Sequence, residues 1–373
     1  MKLKFILKQY IKMIVQKIIL PIVYRLSCFQ KVDEKLVVFA DAHHHELPFS
    51  MRYLYAKVKE EGYKTKLVIS DYQRDGSVTT FKQMCQFMKL YGRAKFVVIC
   101  DNFLPAASCQ KRKETTVIQL WHACGAFKKF GYDTTDDIPK MYKGNVLKNC
   151  DCVTVSGEFC VSHYASAMRL PESNIKPFGV SRTDFYYHDK FKGNMQKRFW
   201  EIFPEARGKK VILWAPTFRG NPSAPYLQGV QTIAELEEKL GSDWFVVAAV
   251  HPHLKGKIST SIRTCDMLTE EMLPVVDLLI TDYSSIVFDF MIMEKPTVLF
   301  VPDVREYKKN RGFYIELEEL SDQVVVKEEE LLAAVKDEYT SCTIEKLRLG
   351  KDKYMEACDG RATERILAFM QSK

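Results

Sequence analysis

Residues 275–293 read VVDLLITDYSSIVFDFMIM, and no other segment says more about the fold. Five of the first six residues are apolar and branched, as in a buried parallel strand, and residues 286–293 suit a buried helix. Ser284 and Ser285 stand in the polar turn between them. Free backbone N–H groups and the helix dipole favour an anion at such a turn. The turn therefore predicts a phosphate cradle, with simple helix capping by the serines as the alternative.

Three further apolar runs in the second half of the chain also end in polar residues. These ends are Thr217 and Arg219 after residues 211–214, His251 with His253 and Lys255 after residues 244–250, and Asp303 with Arg311 after residues 298–300. Ligands of an open parallel sheet bind outside the carboxyl ends of its strands. Cations, hydroxyls and histidines at four such ends suit a diphosphate. Asp289, one turn into the helix, is a candidate for orienting an amide or a cation.

The first half of the chain repeats this alternation of strands and helices. Its predicted strands are residues 36–39, 65–69, 96–100, 116–120 and 151–156, and His122 follows the fourth. The pattern predicts an α/β protein of two doubly wound, Rossmann-like domains that face a cleft. We place the first domain at residues 33–187 and the second at residues 188–373.

Several of these segments together resemble the signature blocks of one family. They are Trp121-His122 with Lys128-Lys129, Ala215-Pro216-Thr217-Phe218-Arg219, His251-Pro252, residues 281–289, and Arg311-Gly312-Phe313-Tyr314. In order and spacing they resemble the CDP-glycerol glycerophosphotransferases, the teichoic acid glycerol-phosphate and ribitol-phosphate transferases of bacterial envelopes. The chain departs from the family where Ala123-Cys124-Gly125 replaces Gly-Thr-Pro, and where Ser181 replaces a proline.

The resemblance implies a fold of the glycosyltransferase B (GT-B) type and a specific reaction. An alditol phosphate, glycerol phosphate first and ribitol phosphate as the alternative, would pass from a CDP-alditol to a hydroxyl of an undecaprenyl-diphosphate-linked saccharide, with release of CMP. In this interpretation His122 is the general base and His251 assists the departing CMP, although the two roles are exchangeable. Arg219, Ser284 and Ser285 hold the donor phosphates, and Thr217 and Arg311 are weaker candidates. No cofactor is implied.

A metal site is the main competing interpretation of the polar clusters. His43-His44-His45 with Asp41, Cys150-x-Cys152 and Asp136-Asp137 all offer ligands, but none has the spacing of a structural zinc site or an Asp-x-Asp motif. We therefore predict no bound metal. The eleven cysteines are scattered and odd in number, which favours reduced thiols in the cytosol.

The amino terminus, residues 1–32, carries seven Lys or Arg and no acidic residue, in a chain of net charge +8. Lys4, Lys8 and Lys12 line one face of a predicted amphipathic helix that Pro21 should end or kink. Its uncharged stretches are too short to span a bilayer. We predict a peripheral anchor on the anionic cytoplasmic face of the cell membrane, with packing on the protein's own surface as the alternative. Nucleic-acid binding is not expected.

Two other functions remain open. A GT-B glycosyltransferase using a nucleotide sugar would release a nucleoside diphosphate instead of CMP. A catalytically dead scaffold of the same fold would have lost its histidines and arginines, yet His122, Arg219 and His251 are present.

Overall fold

The computed structural model describes residues 11–134, 137–138, 144–221, 224–250 and 262–373. Contacts divide the chain into two units. Unit 1 comprises Met1–His122, Asp136–Asp184 and Ala357–Lys373, and unit 2 comprises Ala123–Thr135 and Phe185–Glu356. The predicted domain bounds of 33–187 and 188–373 stay predictions. By contact, residues 123–135 group with the second unit and residues 357–373 with the first.

Unit 1 is built around a parallel sheet. Its strands are β1 (Asp33–Asp41), β2 (Lys64–Ile69), β3 (Ala94–Ile99), β4 (Thr116–Gln119), β5 (Cys152–Thr154) and β6 (Ile175–Lys176). Its helices are α1 (Leu20–Ser27), α2 (Phe49–Glu60), α3 (Ser77–Tyr91), α4 (Leu104–Ala107), α5 (Cys160–Met168) and, from the C-terminal segment, α13 (Ala362–Gln371).

The strand order of unit 1 is β2-β1-β3-β4-β5-β6, with every neighbouring pair parallel. Strand β1 is buried continuously from Leu36 onward because helices cover the sheet. Met51 and Leu54 of α2 pack with Ile366 and Met370 of α13 in the core on one face. The C-terminal helix is therefore part of the first unit's core.

Unit 2 contains a second parallel sheet and a small hairpin. Its strands are β7 (Lys210–Ala215), β8 (Arg219–Asn221), β9 (Ala224–Tyr226), β10 (Trp244–Ala248), β11 (Leu278–Thr281), β12 (Thr297–Phe300) and β13 (Gln323–Val325). Its helices are α6 (Asp189–Ile202), α7 (Val230–Leu240), α8 (Thr269–Met272), α9 (Ile286–Met291), α10 (Val304–Asn310), α11 (Leu331–Ser341) and α12 (Ile344–Tyr354).

The main sheet of unit 2 has the order β10-β7-β11-β12-β13 and is parallel throughout. Strands β8 and β9 pair antiparallel as a hairpin directly after β7. The two parallel sheets confirm the predicted α/β class. One predicted strand begins too early: residues 273–275 form a 3₁₀ turn that contains Pro274, so β11 starts only at Leu278.

The amino-terminal segment is helical from residue 11 to Ser27, so the prediction that Pro21 ends it is wrong, and a kink at Pro21 stays a prediction. A π-helical turn, Val15–Ile19, directly precedes α1, and Pro21, which has no N–H to donate, follows it. Lys4 and Lys8 lie outside the described residues. Among the described residues, no helix combines the length and apolar character that a membrane crossing requires.

One face of this segment packs on unit 1, as the alternative interpretation expected. Leu20, Tyr24 and Ser27 are buried, and the ring of Tyr24 lies 5.0 Å from that of Tyr91 in α3. The opposite face exposes a stripe of apolar side chains at intervals of three or four residues. These are Ile11, Ile14, Ile18, Ile22, Leu26 and Phe29.

Candidate active site

In unit 1, the chain turns sharply after β4 and presents His122 at the strand end. Trp121 adopts a left-handed backbone conformation with φ 58°, which is costly for a bulky residue. The Trp121 amide donates to Oε1 of Gln119 at 2.9 Å, and Nε2 of Gln119 donates to the carbonyl of Asp101 at 3.0 Å. The Trp121 and His122 rings stack with centroids 4.5 Å apart. The strained turn thus holds the imidazole against a rigid aromatic face.

A buried arginine fixes the backbone of the same turn. Arg182 is 2% exposed, and its Nη1 donates to the carbonyl of His122 at 2.8 Å and to Oγ of Ser50 at 3.1 Å. The guanidinium of Arg182 contacts the main chain of His122. The imidazole is about half exposed.

The side chain of His122 pairs with a carboxylate that the sequence interpretation missed. Nδ1 of His122 lies 3.1 Å from Oδ2 of Asp101, which follows β3. Burial disfavours the carboxylate, but the charge and hydrogen bond of His122, with His43 and the Asn102 amide, lower the pKa of Asp101 to about 2. An ionised Asp101 accepts a hydrogen bond from Nδ1–H, which leaves Nε2 as the acceptor. This is the orientation that a general base requires.

In unit 2, the turn between β11 and α9 carries the two serines. Ser285 directly precedes the helix, but its side chain makes no capping hydrogen bond among the described residues. Oγ of Ser284 accepts only a long bond of 3.4 Å from the amide of Ile286. Both residues are partly exposed. Capping by the two side chains is thus weak among the described residues, and the phosphate interpretation stays a prediction.

Arg219 joins three strand ends of this unit. Its Nε and Nη2 donate to the two carboxylate oxygens of Asp303 at 2.6 and 3.0 Å, Nη2 lies 3.0 Å from Oδ2 of Asp282, and Nη1 donates to the Thr217 carbonyl at 2.6 Å. These partners follow β12, β11 and β7. Direct contact between Arg219 and a phosphate stays a prediction. What the structure shows is a guanidinium already engaged by protein groups, which is the arrangement of a positioning residue.

The surroundings of Arg219 strengthen these pairs. Burial alone would lower the pKa of the guanidinium, but Asp303 and Asp282 raise it above its ordinary value. Arg219 also lies 5.0 Å from the ring of Tyr283, whose hydroxyl donates to Oδ1 of Asp303 at 2.9 Å. Tyr283 stacks on Tyr307 at 3.8 Å. Since Tyr283 and Asp282 directly precede Ser284, this cluster sets the position of the serine turn.

The other predicted site residues are Thr217, Arg311, Asp289 and His251. The Thr217 amide donates to Oδ1 of Asp282 at 2.9 Å, so Thr217 lies beside the serine turn. Nε of Arg311 donates to the carbonyl of Lys129 at 3.0 Å, which ties residues 123–135 to the end of α10. Asp289 is fully buried in α9. His251 lies outside the described residues.

Within the described ranges, no group of three or more His, Cys, Asp or Glu side chains is arranged to hold a metal ion. His44 instead pairs with Asp41 at 2.8 Å, and His45 lies 3.8 Å from Asp75. Their carboxylate partners differ, so the three consecutive histidines do not converge on one point.

The model of the family described as CDP-Glycerol:Poly(glycerophosphate) glycerophosphotransferase matches residues 22–372. The chain belongs to this family. The chain is 30% identical over 367 residues to the teichoic acid ribitol-phosphate primase of Bacillus spizizenii, with 93% of each chain covered. It is 28% identical over 297 residues to the teichoic acid glycerol-phosphate primase of Bacillus subtilis, covering 74% of this chain and 73% of that one.

The solved structure of the wall teichoic acid polymerase TagF superposes with a TM-score of 0.74 at 20% identity, covering 98% of this chain and 96% of that chain. The predicted GT-B type of fold with two Rossmann-like domains is confirmed. The predicted enzyme class, transfer of an alditol phosphate from a CDP-alditol in teichoic acid or related synthesis, is also confirmed by family membership.

Proposed function

We propose that this protein transfers ribitol phosphate or glycerol phosphate from the CDP-alditol to a hydroxyl of an undecaprenyl-diphosphate-linked saccharide, releasing CMP. The observation that carries the proposal is the His122–Asp101 pair, which presents Nε2 of a half-exposed imidazole at a strand end. The sequence favoured glycerol phosphate. Similarity to a ribitol-phosphate primase over 93% of both chains favours ribitol phosphate and a priming step, and so ranks CDP-ribitol first.

The chemistry needs one bond to form and one to break. The acceptor oxygen attacks the alditol-bearing phosphorus and gives its proton to Nε2 of His122, while the bond from that phosphorus to the bridging oxygen breaks and CMP leaves with both bonding electrons. Phosphoryl transfer depends mainly on positioning and charge neutralisation. A positioned base adds about a hundred- to ten-thousandfold. His251 keeps its proposed role of hydrogen bonding to the departing CMP.

We assign donor binding to the second unit. Ser284 and Ser285 offer hydroxyls and amides to the diphosphate, with Thr217 and Arg311 as further candidate ligands. Arg219 contributes by holding the serine turn between its carboxylate partners. Asp289 is buried in α9, which supports an orienting role inside the protein.

Acceptor-dependent release of CMP is the decisive measurement. Purified protein is given CDP-ribitol or CDP-glycerol with a lipid-linked disaccharide, in the presence of EDTA. We expect CMP from one donor, and only when the acceptor is present. Release of a nucleoside diphosphate from a nucleotide sugar, with no CMP from either CDP-alditol, would overturn the proposal in favour of a glycosyltransferase.

We further propose that the protein binds peripherally to the cytoplasmic face of the membrane through its amino-terminal helix. The apolar stripe from Ile11 to Phe29 is exposed on the face opposite Leu20 and Tyr24. Lys12, Lys17, Arg25 and Lys31 add positive charge in the same segment. Apolar side chains flanked by cations suit the interface of an anionic bilayer.

The double substitution Ile18→Glu with Ile22→Glu is expected to weaken binding to phosphatidylglycerol-containing vesicles by at least about tenfold, since each buried isoleucine contributes about 1 kcal/mol or more. Co-sedimentation measures the bound fraction. Leu349→Glu, at an exposed leucine of α12, is the matched control and should bind as the wild type does. Equal losses in both variants, or no loss in either, would contradict the helix as the anchor.

A further inference from the structure

The topological switch point of the first unit lies between β1 and β3. In the order β2-β1-β3-β4-β5-β6, successive strands are added on one side of β1 and then on the other. Where the direction of strand addition reverses, the connections diverge and leave a crevice outside the carboxyl ends of the two strands. Such a crevice is the common ligand site of open α/β sheets.

Two carboxylates and two histidines occupy these strand ends. Asp41 ends β1, and its Oδ2 lies 2.8 Å from Nδ1 of His44. Asp101 follows β3, and its Oδ1 lies 3.9 Å from Nε2 of His43, whose ring nitrogen is also 3.3 Å from the Asn102 carbonyl. His43 therefore reaches from the end of β1 to the carboxylate that orients His122. The sequence singled out these histidines, but the catalytic assignment does not use them.

The carboxylate that supports the histidine rings is buried, whereas the rings that could bind a ligand are partly exposed. Asp41 is buried, whereas the side chains of His43 and His44 are 35% and 52% exposed. Nδ1 of His44 is engaged by Asp41, which directs its Nε2 edge away from that partner. The Asp41 hydrogen bond raises the pKa of His44 and outweighs partial burial. Exposed imidazoles on fixed supports suit ligand hydrogen bonds.

The local charge indicates which part of a ligand fits here. Within the described residues, the ion-pair partners of Asp41 and Asp101 are histidines, with no Lys or Arg among them. The pKa values of Asp41 and Asp101 are both lowered, so these strand ends carry two carboxylate charges at neutral pH. A phosphate would be repelled by these carboxylates. Hydroxyl groups both donate and accept hydrogen bonds, so they suit neighbouring imidazoles and carboxylates.

We propose that His43 and His44 bind hydroxyl groups of the acceptor saccharide at the β1/β3 switch point and so determine acceptor specificity. The proposal rests on the proposed function, because it places the uncharged, hydroxyl-rich part of the acceptor next to the base. It assigns the acceptor diphosphate to another part of the protein. Because His43 and His122 both contact Asp101, a hydroxyl bound by His43 would place the reactive hydroxyl beside His122.

The test compares His43→Ala, His44→Ala and the matched control His45→Ala, whose partner is Asp75. His44→Gln keeps a donor for Asp41 in case the alanine variant loses stability. CMP release is measured against a disaccharide on a short alkyl diphosphate and, separately, against the CDP-alditol. Calorimetric titration of the same probe without donor, and of the alkyl diphosphate alone, measures binding directly.

Loss of one hydrogen bond predicts about a tenfold rise in the acceptor KM for His43→Ala and for His44→Ala, with the donor KM unchanged. His45→Ala should match the wild type, and affinity for the alkyl diphosphate should be the same in all proteins. An unchanged acceptor KM, an equal effect of His45→Ala, or a raised donor KM overturns the inference.

Failure of the proposed function gives a different result. If the wild type releases no acceptor-dependent CMP, that function is wrong and the titrations alone decide the inference. Weaker disaccharide binding in the His43 and His44 variants, with normal binding by His45→Ala, supports it. Equal binding in all variants, or no binding by the wild type, overturns it.

Discussion

Replacing His122 by alanine should lower acceptor-dependent CMP release by about a hundred- to ten-thousandfold, the usual contribution of a positioned general base. The turnover number should fall more than the KM of either substrate changes, because the proton moves only in the transition state. The imidazole is about half exposed and its backbone is held independently by Arg182, so the variant should fold normally. Initial rates and a thermal melt measure the two effects.

Two further variants define how His122 acts. Asp101→Asn removes the negative charge opposite Nδ1 and weakens control of the ring orientation, so its activity should lie between those of the wild type and His122→Ala. His45→Ala, a nearby exposed histidine on another carboxylate, should keep full activity. A His122→Ala enzyme with at least half of the wild-type rate would exclude this histidine as the base.

Replacing Arg219 by methionine should reduce the free energy of unfolding of the second unit by about 3–5 kcal/mol, as expected when one member of a buried ion pair is removed. Asp282 and Asp303 would remain largely buried without their cation. Burial disfavours the Asp303 carboxylate, and the contacts with Arg219 and Tyr283, with a backbone hydrogen bond, hold its pKa below the ordinary value. Urea unfolding followed by the fluorescence of Trp214 and Trp244, both in this unit's sheet, reports the change.

Arg219→Lys keeps the charge but not the planar fork, and we expect a smaller loss of stability. Arg348→Met is the matched control: Arg348 pairs with Glu294 at the surface, so its loss should change stability by no more than about 0.5 kcal/mol. If Arg219→Met unfolds at the wild-type urea concentration and loses only affinity for the CDP-alditol, Arg219 is a phosphate ligand and not a positioning residue.

Much of the fold followed from local patterns. Short branched runs such as residues 211–214 became parallel strands because their continuous apolar character requires burial on both faces. The polar ends of those strands were candidate ligands for the same reason, since parallel strands bring their carboxyl ends to one edge. The short strands β6 and β13, of two and three residues, carried too little pattern to be predicted.

The side chains that contact the site residues were harder to predict from the sequence. Asp101 precedes His122 by 21 positions, and only the parallel pairing of β3 with β4 places the two at neighbouring strand ends. The signal was present, because Asp101 directly follows a predicted strand, but nothing in the sequence distinguished it from Asp41. The pairing of Arg219 with Asp282 and Asp303 depends similarly on β7, β11 and β12 being neighbours.

The sequence alone determined the α/β class, the strand ends that carry polar groups, the family and the candidate base, because each depends on residues close together in the chain. Tertiary structure decided which groups meet. It places a carboxylate against His122 and protein partners against Arg219. It also pairs the three consecutive histidines with different carboxylates. The physical reason is that strand order sets these contacts, and strand order arises from packing of the whole sheet and not from any local pattern.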